Sequence, residues 1–366
     1  MFFTLGRHKD NRLPCHARLG SMWLSHDQGW YPTDHGFIKG YTDNFLEFVL
    51  NGQDIVVTHD QYRSCPLWWD HDTKTLTNLL GQGERIWADK SVTISSDTLL
   101  LETQHILPDI NTPTLTVDQA VDKIANVLVN KINFFDKNFA GRSKKLFVTG
   151  GIDTVLLLAL IKHCNVNCDI LDYEYFEYDY FTNLNLQQLC DQHWAYKQIH
   201  HWQNPTVLVT GACGDEFLMR GPHTLAMWAA WHNIDVETLL NTRPGYHVGY
   251  YLMPKNLKVF RDFYNQRIQL KEQYPTYQGL VEQILNVNAN DHQHWHLGNT
   301  LTFTPFKDLA LTEIMLRLDP SDLIEQIIDA SINRELIKKF HPACIDLLST
   351  TKNTNNREFL TGLAKI

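Results

Sequence analysis

The chain contains no run of apolar residues approaching the ~20 needed to cross a bilayer, which argues against a membrane-spanning role. It has no surplus of positive charge either. Thirty-two Lys and Arg stand against 41 Asp and Glu, a net charge of -9, so nonspecific nucleic-acid binding over a basic surface is not expected. No Cys-x-x-Cys pair occurs, and the seven cysteines are scattered from Cys15 to Cys344. That pattern suggests neither a zinc ribbon nor a disulfide framework, and reduced thiols are expected. The opening "MFFTLGRHKDNR" lacks the apolar stretch and cleavage site of a secretory signal, so the expected location is cytoplasmic. Solenoid-length repeats and low-complexity tracts are also lacking.

What is present is enough material, 366 residues with 43% hydrophobic side chains, for one large domain or two ordinary ones. Residues 1–112 have the texture of β-structure. Short alternating segments such as "FLEFVLNGQDIVVTHD" and "KSVTISSDTLLLET" are punctuated by turn formers, and "FVLNGQDIVV" reads as a hairpin turning at Asn51-Gly52. "PDINTPTLT" then reads as a linker. From 113 to 366 the pattern changes: "TVDQAVDKIANVLVNKINFF" places Val121, Ile124, Leu128, Ile132 and Phe135 on one helical face. Strand-like "KLFVT", "CDILDYEYF" and "TVLVT" alternate with helix-like "TVLLLALIKH" and "NLNLQQLCDQHW", and "SDLIEQIIDASINRELIKKF" is a late helical region. Alternation of this kind predicts an α/β fold with a largely parallel sheet, preceded by the smaller β-rich domain.

Two segments, "LFVTGGIDT" (Leu146 to Thr154) and "VLVTGACGDEF" (Val207 to Phe217), each end a strand in Thr-Gly and continue to an acidic residue. Ligands of parallel α/β sheets bind beyond the carboxyl ends of the strands. Thr149, Gly150, Gly151 and Thr154, with a helix expected to start near Thr154, would cradle phosphate. Asp153 in that cradle would repel phosphate unless it held Mg²⁺, and Asp215 with Gly211 and Gly214 repeats the arrangement. Two such loops would grip a metal-polyphosphate from two sides. Alternatively, each is an ordinary strand-to-helix turn. Glu216 beside Asp215 reads as a second metal contact or, the preferred reading, as a helix-start acid favoured by the helix dipole. "HQHWH", with His292, His294 and His296, is a weak metal candidate. The acidic-interleaved "YEYFEYDYF" reads as core or partner contact.

These segments resemble those of asparagine synthetases within the N-type ATP pyrophosphatase superfamily. "TGGIDT" is similar to the "SGGxDS" pyrophosphate loop, "VTGACGDEFLMRG" to "SGEGxDExFGGY", and "TPFKDLAL" (Thr304 to Leu311) to "xPFLDxxL". "INRELIKKFHPACIDLLSTTKN" stands where that family has its late helix and lysine loop, and "VVTHDQYRSCPLWW" resembles a strand pair of its glutaminase half. No Gly-Lys-Ser/Thr follows the glycines, which separates the motif from a Walker A loop. The resemblance implies a parallel-sheet ATP pyrophosphatase domain that binds ATP and Mg²⁺. Such a domain activates a small-molecule carboxylate as an acyl-adenylate, with release of pyrophosphate, for attack by ammonia or an amine. It implies ATP or pyrophosphate contacts at Phe147, Thr149, Gly150, Gly151, Asp153, Thr154, Thr210 and Gly211. Metal binding falls to Asp153 and Asp215, and catalytic roles to Lys352, Asp153 and Asp215.

Departures narrow the expectation. Where a class II glutaminase carries its nucleophilic cysteine after the initiator Met, this chain has Phe2, so no glutamine hydrolysis is expected. Nitrogen would then come from ammonia, a substrate amine or an amidotransferase partner; a homo-oligomer is the other association considered. Ala212 replaces the acidic residue of the second loop, and Leu301-Thr302-Phe303 replaces Glu-x-Arg, which points to an altered acyl donor or acceptor. Two alternatives stay open: a noncatalytic nucleotide-binding or scaffold protein, and an enzyme adenylating a nucleobase or tRNA.

Overall fold

The structure is a computed structural model that describes residues 3–27, 29–41, 44–60, 65, 67–78, 83–86, 90–103, 114–148, 150–171, 204–235, 238, 241, 258, 261–262, 264–265, 268 and 300–348. Its N-terminal region is built of β1 (Phe3–Gly6), β2 (Cys15–Leu19), β3 (Met22–His26), β4 (Tyr31–Thr33), β5 (Gly36–Tyr41), β6 (Asn44–Asn51), β7 (Asp54–His59), β8 (Leu67–Asp70), β9 (Thr75–Thr77), β10 (Glu84–Ile86), β11 (Lys90–Ser95) and β12 (Thr98–Thr103). They form two six-stranded sheets, ordered β10-β8-β9-β1-β3-β2 and β12-β11-β7-β6-β5-β4. The pairings within both are antiparallel.

Alternation decides which face each strand buries. Leu46 and Phe48 of β6, Ile55 and Val57 of β7, and Val92 and Ile94 of β11 point into one cluster shared with Phe3, Leu5 and Leu24 of the other sheet. Within it Trp30 stacks on Phe48 at 5.5 Å between ring centroids. A buried ion pair crosses this apolar setting: Lys39 Nζ donates to Asp27 Oδ2 at 2.9 Å, and Trp30 Nε1 donates to Asp27 Oδ1 at 3.0 Å. Burial pushes the Lys39 ammonium down despite the attraction of Asp27. The β6–β7 hairpin forms as expected, but Asn51 pairs with Asp54, so its turn falls on Gly52-Gln53, one residue later than the sequence suggested. Gly52 takes φ +64° there. The segment "VVTHDQYRSCPLWW" supplies parts of β7 and β8, which lie in different sheets. None of the described cysteines is in a disulfide.

The α/β region opens with α1 (Val117–Asn138), capped by reciprocal bonds between Thr116 and Gln119. Val121, Ile124, Leu128, Ile132 and Phe135 are all buried, as their spacing predicts. The expected domain boundary at 112/113 falls at residues outside the description. A four-stranded parallel sheet follows, ordered β14 (Asp169–Leu171), β13 (Ser143–Phe147), β15 (Thr206–Val209), β16 (Thr300–Phe303). Helix α2 (Ile152–His163) connects β13 to β14 and is apolar on nearly every side, with Val155 through Ile161 buried. That is the signature of a helix covered all round. Then come α3 (Gly214–Phe217), α4 (Gly221–His232), α5 (Leu309–Leu316), α6 (Pro320–Asp329) and α7 (Ser331–Phe340). The late helical region is two helices broken by Ala330, which adopts a left-handed φ of +55°. No helix among the described residues is long and apolar enough to cross a membrane.

Candidate functional site

Strands β13 and β15 are neighbours, and each runs out into one of the Thr-Gly segments. After β13, Gly150 takes φ +75°, a conformation that favours glycine, and Gly151 is the N-cap of α2. The helix therefore starts at Ile152, two residues earlier than expected, and Asp153 and Thr154 lie in its first turn. A glycine cap brings no side chain to the helix N-terminus, where the partial positive charge of the backbone is concentrated. Thr154 turns its hydroxyl back to the Gly151 carbonyl at 3.0 Å. Phe147 ends β13; Thr149 lies outside the described residues.

The second loop is held against the first. A Cβ on Gly211 would lie 3.1 Å from Asp153 Cβ and 3.2 Å from Thr154 Cγ2, and one on Gly214 would lie 2.6 Å from Asp153 Oδ1. A side chain at 214 would force the Asp153 carboxylate to shift. The loop is braced from within by Ala212 N–H donating to Thr210 Oγ1 at 3.3 Å, and from the "TPFKDLAL" segment by Thr304 Oγ1 donating to the Ala212 carbonyl at 2.7 Å. Thus three of the motif segments meet. Cys213 caps the one-turn helix α3 with φ +61°, and Met219 reverses the chain after it with φ +54°. Both are conformations that cost a non-glycine residue about 1–2 kcal/mol.

Reversal at Met219 delivers a residue that sequence reasoning missed. Arg220 is buried, and its Nη2 donates to Asp153 Oδ2 at 2.6 Å while also contacting Asp215 Oδ1. One guanidinium thus joins the carboxylates of both loops. The backbone fixes it: Arg220 N–H donates to the Asp215 carbonyl at 2.6 Å, and Thr224 Oγ1 donates to the Arg220 carbonyl at 3.0 Å. Gly221, at φ +91°, passes with its would-be Cβ 3.4 Å from Asp215 Oδ2. A divalent Mg²⁺ demands oxygens at about 2.0–2.1 Å in octahedral array. With a guanidinium nitrogen between Asp153 and Asp215, these side chains as arranged do not fit a metal bridging the two carboxylates. No group of three or more potential metal ligands occurs among the described residues.

Two further missed residues support Asp153 from the late helices. Asn333 of α7 donates to Asp153 Oδ1 at 3.4 Å, and Gln326 of α6 donates to Asn333 Oδ1 at 2.6 Å and to the Leu218 carbonyl at 2.9 Å. Gln326 also accepts from the Ile332 N–H at 2.8 Å. Burial pushes the Asp153 carboxyl up to about 6, against the pull of Arg220 and with the push of Asp215. Glu216 lies in the first turn of α3, as expected for a helix-start acid, and it is only 5% exposed. Burial first, then the Asp215 charge, raises its carboxyl to about 8. Lys352, Phe2 and the histidines at 292, 294 and 296 lie outside the described residues, as does the "YEYFEYDYF" series.

Chemically, the arrangement offers glycine-lined backbone at two strand ends, a helix start capped by glycine with no side-chain cap bond, one shared cation and a partly exposed Asp215. Compared with known protein families and with curated proteins, the chain matches no family model and no curated sequence.

Proposed function

We propose that the α/β region binds ATP at the paired Thr-Gly loops and activates a small-molecule carboxylate as an acyl-adenylate, which ammonia or an amine then attacks to give an amide. The observation that carries this reading is conformational. Where the asparagine synthetase pattern "SGEGxDExFGGY" places glycines after its acidic residue and after its phenylalanine, this chain has Cys213 and Met219, and both hold left-handed φ values, +61° and +54°. Those turns are strained for cysteine and methionine and natural for glycine. Left-handed backbone at both positions is what glycines would favour there, which supports the resemblance. Gly151 at the N-terminus of α2, the close approach of Gly211 and Gly214 to Asp153, and the Thr304 bond to the second loop support the same reading.

Cleavage between the α and β phosphates is what the resemblance implies, and a helix N-terminus can hold the departing pyrophosphate. Glutamine hydrolysis is not part of the proposal, and the proposed setting is cytoplasmic. Magnesium would accompany ATP as its counter-ion, and Lys352 is the proposed partner of the α-phosphate. The test is incubation with ATP, Mg²⁺ and a carboxylate panel while AMP and pyrophosphate are measured. AMP release that depends on one carboxylate, lowered at least ~10-fold in Asp153→Asn, equivalent to about 1.4 kcal/mol, supports the proposal. Aspartate with ammonia is expected to be a poor pair, since Ala212 stands where the pattern has an acid. A second reading, a noncatalytic nucleotide-binding protein, draws on that same Ala212 and on Arg220. ATP binding without AMP release would favour it.

A further inference from the structure

The notable property of Arg220 is its position between two carboxylates that come from different loops. In sequence it occupies the second glycine of the resembled "FGGY" turn, so the guanidinium is an addition to that pattern and not part of it. Its side chain is 7% exposed, against 20% for Asp153 and 46% for Asp215, so it lies beneath them and cannot be an adventitious surface contact. The left-handed turn at Met219, the bond from Arg220 N–H to the Asp215 carbonyl and the Thr224 bond to the Arg220 carbonyl fix its backbone from three directions.

We infer that Arg220 takes the place of a divalent cation, so that the paired loops are held together by a built-in guanidinium and present a metal-independent site for a polyphosphate. The inference deepens the ATP-binding reading above and rests on it for the identity of the polyphosphate, but its electrostatic content stands on the three side chains alone. Two carboxylates facing each other from separate loops repel unless a cation lies between them. A metal would bind from solution and could be removed by a chelator. Arg220 is covalently part of the chain and always charged. It donates a hydrogen bond to Asp153 Oδ2 and pairs by charge with Asp215 Oδ1, and its positive charge opposes entry of a second cation. Arg220 is therefore a positioning residue that sets the geometry of Asp153 and Asp215 without ion exchange.

The test uses Mn²⁺ alone, followed by electron paramagnetic resonance of the purified full chain, with no nucleotide present. Wild type is expected to bind no stoichiometric Mn²⁺. Arg220→Met, which empties the space between the carboxylates, is expected to gain one site with at least ~10-fold tighter affinity and to lose it when Asp215→Asn is added. If Arg220→Met does not fold, Arg220→Gln, which keeps hydrogen-bond donors but no charge, is expected to show the same gain. Stoichiometric Mn²⁺ binding by wild type that Asp153→Asn abolishes would overturn the inference. So would folded Arg220 variants that gain no site. ATP titrated into wild type in the presence of a chelator separates the two readings. Equal affinity with and without Mg²⁺ supports the inference, and strict Mg²⁺ dependence of binding counts against it. Absence of ATP binding in both conditions would sink the proposed function while the Mn²⁺ result still decides the role of Arg220.

Discussion

Gly214 and Asp153 are so close that a methyl group on the glycine would stand 2.6 Å from the carboxylate oxygen Oδ1 and 2.7 Å from Cγ. With any side chain at position 214 the Asp153 carboxylate would have to move from its place between the loops. Gly214→Ala is accordingly expected to separate the loops, at a cost of about 1–3 kcal/mol in denaturant unfolding, and to weaken ATP binding at the same time. A variant as stable as wild type with unchanged ATP affinity would show that the loops are not a unit.

Strain at Cys213 gives a second expectation. Cys213→Gly relieves the left-handed backbone but removes a buried thiol, so its stability should stay within ~1 kcal/mol of wild type. Cys213→Val adds β-branching at φ +61° and should be clearly the less stable of the two. Thermal melts of the pair check this, and the reverse order would contradict the assigned backbone.

Glu216 makes stability depend on pH. The folded chain keeps the Glu216 proton up to about 8, whereas an unfolded chain releases it near 4.5. Between those values the folded state binds more protons, so this contribution is fully present below pH 4.5 and is lost as the pH rises through about 8. Asp153, raised from 3.8 to about 6, acts in the same direction over a lower window. Glu216→Gln, which cannot ionise, should flatten the decline and raise the melting temperature at pH 8.5 relative to wild type. Parallel melting curves across that range would contradict the burial of an acid there.

The Lys39–Asp27 pair should be costly to break from one side. Asp27→Asn keeps an acceptor for Trp30 but strands a buried ammonium, and Lys39→Met strands a buried carboxylate; each should cost about 3–5 kcal/mol. The double variant should cost much less than the sum, as urea unfolding in a double-mutant cycle will show. Additive losses would mean that the two charges do not interact.

Local rules made much of the fold legible. The apolar stripe of α1 and the alternation of β6, β7 and β11 assign their buried faces correctly, because those residues pack where period alone points them. Punctuation was less reliable. Asn51-Gly52 looked like the turn, but pairing of Asn51 with Asp54 moves it one residue on. The start of α2 was misplaced because glycine caps with backbone alone and leaves no polar side chain to mark the boundary. The facing of the two loops was readable from their shared Thr-Gly endings. Arg220 was not, since its role depends on a chain reversal at Met219, a residue type that does not announce left-handed turns. Its one signal was an arginine where the resembled pattern has glycine. Asn333 carried no signal at all, and the burial of Glu216 depends on packing that no short segment specifies.

The bond from Asn333 to Asp153 joins positions 180 apart in sequence, and that separation governs the order of folding. Contacts of such span pay their loop-closure entropy before they return any energy, so they form late. The strand and helix around Asp153 can assemble from neighbouring residues, but the carboxylate meets its amide partner only when α7 has docked. A nascent chain would therefore complete the surroundings of Asp153 only after α7 had left the ribosome. Chains truncated before Ser331 would lack the amide partner that meets Asp153 from the C-terminal side.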